Sequence, residues 1–277
     1  MVLEGLKSDL VERRPYVAFF YGVFAALVGY AAARIFFPLQ SSVAMLFLST
    51  LLIVPLLMKL LDNEELRERT FGISHFLSNH KDVLECYLFL FLGLFAGYLT
   101  LGSITGEGFT NAFSFQDRVL SSQMSSRTID DFFNNPLQPS LQQVSSILER
   151  NIPVTGILFI LSFFYGAGAV FLIVLNASVF SSFILSLTRY LDQTAGKSAL
   201  LLSFFAIHMI PEIFGFLLAA MAGGVISKAL LTEKFMSGHF LNVLQDSLIL
   251  LMGSVLLIIL AAFLEVFVTS SLFHAYA

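Results

Sequence analysis

Residues 200–228 form a long, largely apolar run with His208, Pro211 and Glu212 in its interior. About 20 apolar residues at 1.5 Å each match the hydrocarbon thickness of a bilayer, so the run predicts a membrane-spanning helix that carries ionisable groups inside it. At 3.6 residues per turn, His208, Glu212, Gly215, Ala219 and Gly223 fall within one stripe roughly 80° wide. Lipid offers such a stripe nothing. A charged group at the centre of a spanning helix costs about 2.5–3.5 kcal/mol, so the stripe must face other helices or a wet cavity.

Composition extends the argument to the whole chain. Hydrophobic residues make up 57% and charged residues only 12% of the 277, which leaves too little polar surface to cover a soluble domain of this size. The expected fold is therefore all-α: a single polytopic membrane helix bundle over 1–277, with about six transmembrane helices plus interfacial or re-entrant helices. The net charge of −4 is small and spread over several loops, so it favours neither a nucleic-acid partner nor a polybasic lipid-binding surface. Membrane lipid is the one partner that composition implies. The lone Cys86 cannot form an internal disulfide, and homo-oligomer formation stays open.

Spans are expected near 16–37, 43–61, 84–106, 152–175, 200–228 and 247–271. Residues 2–12 read as a short interfacial helix. The charged connector 62–82 reads as a solvated helical face. His75, His80 and Glu85 within and beside it are spaced by five, which does not stack on one helical face and argues against a metal set. Gly93 and Gly97 in the third span permit close helix approach.

The long polar loop 107–150 contains two predicted helices. One follows Thr128, with Asp130 and Asp131 in its first turn. The other opens after Pro139 and Ser140, with Leu141, Val144, Ile147 and Leu148 on one face, and is expected to lie on the membrane surface. The loop is the expected docking surface for protein partners; the competing reading is a lid packed on the bundle. Residues 177–191 are amphipathic but short, which predicts an interfacial or re-entrant helix. With this set of spans, Lys and Arg favour a cell-membrane, multi-pass protein with both termini cytoplasmic.

The polar residues inside the spans are expected to meet. Asn176, His208, Glu212 and Glu265 fall in the same half of the bilayer, and Pro211 leaves the Ile207 carbonyl without its helical partner. Ser254, Ala261, Glu265 and Thr269 share a face in the last span. Three readings stay open for the cluster: interhelical glue, a metal or cation site on His208, Glu212 and Glu265, and a proton or ion relay. One imidazole and two carboxylates suit a divalent cofactor such as zinc. A hydrolase would use the same residues on a water, but His-Glu-x-x-His, the Gly-x-Ser-x-Gly elbow and a phosphate-binding glycine loop are all missing from the sequence.

The sequence Glu149-Arg150-Asn151-Ile152-Pro153-Val154, then Gly166-Ala167-Gly168 leading to Asn176, then His208-Met-Ile-Pro211-Glu212 with Gly215 and Gly223-Gly224, and finally Glu265 together resemble the stage II sporulation protein M family of multi-spanning membrane proteins. Asn151, Gly166, Asn176, His208, Pro211, Glu212 and Glu265 match the family pattern; its usual Asn-Gly pair stands here as Asn176-Ala177. The resemblance implies a membrane scaffold that gathers partner proteins, as the family's namesake does with peptidoglycan-degrading enzymes, and implies no enzymatic activity of its own.

Overall fold

The computed structural model describes residues 14–71, 76–105, 112–123, 139–165, 168–192 and 198–276. Nine α-helices account for nearly all of them: α1 (Val17–Phe36), α2 (Ser41–Phe71), α3 (Phe76–Thr105), α4 (Ser114–Gln123), α5 (Leu141–Tyr165), α6 (Gly168–Asp192), α7 (Ser198–Thr232), α8 (Gly238–Phe263) and α9 (Ser270–Tyr276). A 3-10 turn, Pro38–Gln40, joins α1 to α2, and a π-helical turn, Leu264–Thr269, joins α8 to α9. The expected helices over 2–12 and after Thr128 lie outside the described residues, as does His75 of the connector, whereas Glu85 pairs with Lys81 at 3.8 Å one turn earlier.

Among the described residues, seven helical segments are long and apolar enough to cross a membrane, one more than the sequence predicts. The difference lies between residues 141 and 192. In place of the expected fourth span, 152–175, and the expected interfacial helix, 177–191, stand two full-length helices, Leu141–Tyr165 and Gly168–Asp192. Hydropathy sets the start of a span at the first polar residues it meets, here Glu149-Arg150-Asn151. In the structure the helix runs straight through them, because Arg150 and Asn151 are satisfied inside the bundle, as described below.

The stretch 141–148 is likewise not a helix lying on a surface. Ser140 starts α5 by accepting from the Gln143 amide at 3.3 Å, and Val144 and Ile147 are buried against Ala262 and Val266 of the α8 segment.

Two helix groups make up the bundle. In the first, α1 packs on α2 and α3. Contact is close enough that a Cβ on Gly93 would sit 2.0 Å from the Phe19 carbonyl oxygen. Tyr98 donates to Ser49 (3.1 Å) and Ser49 to the Ala25 carbonyl (3.0 Å), so the three helices share one buried hydroxyl chain.

In the second group α7 is the hub, packed on α8 and α5, with α2 and α6 against it as well. Among the seven spans it has the largest buried share. Ser162 of α5 donates to the Ala220 carbonyl at 2.6 Å, and Ser247 and Ser254 of α8 donate to the Ala222 and Gly215 carbonyls at 2.7 Å each. Hydrocarbon supplies no hydrophobic drive between helices, so close approach over small residues and such hydroxyl bonds hold them together. The stripe through Gly215, Ala219 and Gly223 faces the groove between α5 and α8, as its periodicity predicts: a Cβ on Gly223 would lie 2.3 Å from the Phe159 carbonyl oxygen.

Candidate functional site

Four polar side chains from three helices converge at one depth in the bundle. Arg150 and Asn151 come from α5, nine and ten residues after its first residue, Leu141; Glu212 comes from α7, immediately after Pro211; Glu265 comes from the π-helical turn that ends α8. The Asn151 side chain hydrogen-bonds the Glu212 carboxyl. Glu265 is close enough to Glu212 to repel it electrostatically, and the Arg150 guanidinium attracts Glu265. Arg150 is held in place by its own helix, donating to the Ser146 carbonyl (3.1 Å) and hydroxyl (3.3 Å). One guanidinium and one neutral amide thus stand with two carboxyls, the Asn151 amide on Glu212 and the Arg150 charge drawing Glu265.

Each of the three helices is irregular at this depth. Pro153 in α5 and Pro211 in α7 lack an N–H, so the carbonyls of Glu149 and Ile207 lose their partners one turn back. Glu265 opens the π turn, and the Ser270 amide bonds back to the Glu265 carbonyl, five residues earlier. Single π turns in α-helices recur at functional sites, where they re-aim a side chain.

His208 faces elsewhere. Its Nδ1 lies 3.0 Å from Thr269 Oγ1, and the Thr269 hydroxyl donates to the Phe204 carbonyl at 3.1 Å. A hydroxyl has one hydrogen, so with that hydrogen on Phe204 the imidazole carries its proton on Nδ1 and donates it to Thr269. The ring packs edge-on against Phe205. Thr269 therefore joins Glu265 on the face of the last span that the sequence spacing picks out, but each meets a different partner.

Of the expected cluster, the structure brings Glu212 and Glu265 together, with Pro211 beside them. Asn176 is half-buried on α6, and the amide that meets Glu212 is that of Asn151. Among the described residues, no group of three or more His, Cys, Asp or Glu side chains is arranged to hold a metal ion. Two further polar residues escape a reading by hydropathy. Arg150 lies at what looks like a loop edge. Asp246 is fully buried on α8, one residue before the predicted start of the last span, and a carboxylate directly preceding an apolar run was the signal available for it.

A second polar network lies where α4 meets the bundle. Gln116 is wholly buried; it accepts from Ser42 Oγ of α2 at 2.8 Å and donates to Ser178 Oγ of α6 at 3.3 Å. The Phe115 amide donates to the same Ser42 hydroxyl at 2.9 Å. Next to it, Ser182 of α6 donates to the Asp117 carboxylate, and Arg189 donates to the Gly102 carbonyl of α3 at 3.1 Å. Burial raises the Asp117 carboxyl above its ordinary range, and the Ser182 hydroxyl and the Arg189 charge offset part of that rise.

A helix bundle of seven apolar, span-length segments with its polar groups paired across helices defines an integral membrane protein. The model of the family described as Stage II sporulation protein M matches residues 86–270, and the chain belongs to that family. The matched segment takes in α4 to α8, and with them Arg150, Asn151, His208, Glu212 and Glu265. Compared with curated proteins and with solved structures, the chain has no match.

Proposed function

We propose that this protein is a membrane scaffold that gathers partner proteins through the segment 107–140, the part of the polar loop that precedes α5. The observation that carries this reading is the fixing of α4. Gln116, buried between α2 and α6, anchors the first part of the segment to two spanning helices, and Ser140 with α5 anchors its end. A polar segment tied down at both ends on a stable bundle suits the presentation of a binding surface.

Read as seven crossings, the span-length segments would have the two ends of the chain on opposite faces, in place of the expected two cytoplasmic termini. Of the fifteen Lys and Arg, nine fall with the N-terminal side and six with the side that carries the segment 107–140, which favours a cytoplasmic N-terminus and an outward-facing segment. The Glu212 and Glu265 carboxyls then lie in the outer half of the membrane.

The test is co-purification from native membranes with residues 124–138 replaced by a Gly-Ser linker of equal length, which leaves α4 and α5 intact. Specific loss of a reproducible partner from the variant supports the reading; an unchanged set of partners contradicts it.

A second reading, cation handling at Glu212 and Glu265, is favoured by the meeting of two carboxyls with a single guanidinium. Elemental analysis of the purified protein, beside its Glu212→Gln variant, tests it. A cation bound in stoichiometric amount and lost in the variant supports it.

A further inference from the structure

We propose that α5, α7 and α8 share a hinge at the depth of Arg150, Asn151, Glu212 and Glu265, and that these four side chains are the clamp that holds it closed. The main apolar core supports this from one side. Its buried members on α5, α7 and α8 all lie beyond that depth: Leu158 on α5, Phe216 to Ala229 on α7, and Phe240 to Ile258 on α8. Around and beyond the polar layer, the ends of these helices pack through two small clusters that border the main core at the partly buried Leu148, Phe180 and Ile213. Val144 and Ile147 pack with Ala262 and Val266, and Phe204, Phe205 and Met209 pack with Leu187 and Leu272. The helix ends beyond the layer thus join the main core through partly buried side chains, while its fully buried members on these three helices lie on the other side.

The backbones point the same way. Proline removes one helical hydrogen bond and a π turn rearranges several, so each helix bends most easily where it carries one. Here Pro153, Pro211 and the turn Leu264–Thr269 lie at one depth on three adjacent helices. A single irregular helix bends alone, whereas three aligned ones let their ends tilt as one body. The bonds across the layer are polar pairs between different helices, and packed layers of this kind have discrete arrangements rather than a continuous range. The helix ends on the Leu141 side therefore form a cap that tilts on the remainder of the bundle when the clamp opens, and tilting uncovers Glu212 and Glu265 from that side.

Paired spin labels read this directly. Leu39 and Leu141 are 99% and 69% exposed, on the fixed part and on the cap, and Ile104, 76% exposed at the end of α3, provides a reference within the fixed part. With the buried Cys86 replaced by Ala, label distances are measured for the 39/141 and 39/104 pairs in lipid nanodiscs. We expect the 39/141 distribution to gain a second peak, or to shift, in Glu265→Gln, and to narrow in Pro211→Ala, with the 39/104 distribution unchanged in both. An identical single 39/141 distribution in all three proteins overturns the hinge. Should Glu265→Gln disturb the 39/104 pair as well, that variant is misfolded and Pro211→Ala decides: narrowing supports the hinge, and no change overturns it.

Discussion

Asn151 on α5 hydrogen-bonds Glu212 on α7, and each of the two residues stands within two positions of a proline in its own helix. The bond joins two spanning helices at the point where both are weakest. Replacing Asn151 by Leu, a residue of similar size, removes the donor and leaves the carboxyl facing apolar surroundings. Leaving a buried polar group unmatched costs about 1–3 kcal/mol. We expect the Asn151→Leu variant to unfold at lower temperature in detergent, and the double variant with Glu212→Leu to recover part of the loss, since removing both partners avoids the orphaned group.

Glycines give a contrast that separates close packing from helix propensity. Gly223→Ala places a methyl group 2.3 Å from the Phe159 carbonyl oxygen and forces α5 and α7 apart, for which overpacking costs of about 1–3 kcal/mol are typical. Gly156 has nothing within 4 Å of its virtual Cβ, so Gly156→Ala gains the helix preference of alanine, up to about 1 kcal/mol, without a clash. Thermal unfolding followed by size-exclusion chromatography should move in opposite directions for the two variants.

Docking of α4 is expected to weaken as pH rises. Burial raises the Asp117 carboxyl in the folded protein above its unfolded value, so between the two values the docked state binds more protons than the undocked one. Stability that depends on this group is thus highest below the ordinary aspartate value and declines as pH rises through the raised one. Hydrogen exchange of residues 114–123 should quicken across that window beyond the intrinsic effect of pH on exchange. The excess should vanish in Asp117→Asn, whose amide needs no proton to stay neutral.

The division between what the sequence displays and what it conceals follows from the physics of each signal. The small-residue stripe of α7 is legible because Gly215, Ala219 and Gly223 recur at the helical period, and the structure places them in the groove between α5 and α8. The meeting of Glu212 with Glu265 is legible for a similar reason, since carboxyls inside apolar spans have to find partners.

Arg150 and Asn151 are not, because an Arg beside a polar loop looks the same whether it faces water or a carboxyl on another helix. That one ambiguity moved the start of a span by eleven residues and changed the number of spans from six to seven. The α4 helix was hidden as well: Ser114–Gln123 has little apolar character, and what fixes it is Gln116 bonding to Ser42 and Ser178, residues 74 and 62 positions away. The partner of His208 depends on a π turn, which has no periodicity of its own to read.

The attraction between the Arg150 charge and Glu265 ties the first half of α5 to the end of α8 and is the interaction on which the account of the polar layer depends. Exchanging the two charges tests it most directly. Arg150→Glu alone sets three carboxyls against one another, and Glu265→Arg alone sets two guanidiniums side by side, so each single variant should reach the membrane in reduced amount and unfold early. The double variant, Arg150→Glu with Glu265→Arg, restores one cation and two carboxyls at the same depth. Recovery of monodisperse, thermally stable protein in the double variant is the predicted result; a double variant no better than the sum of the two single losses would contradict the account.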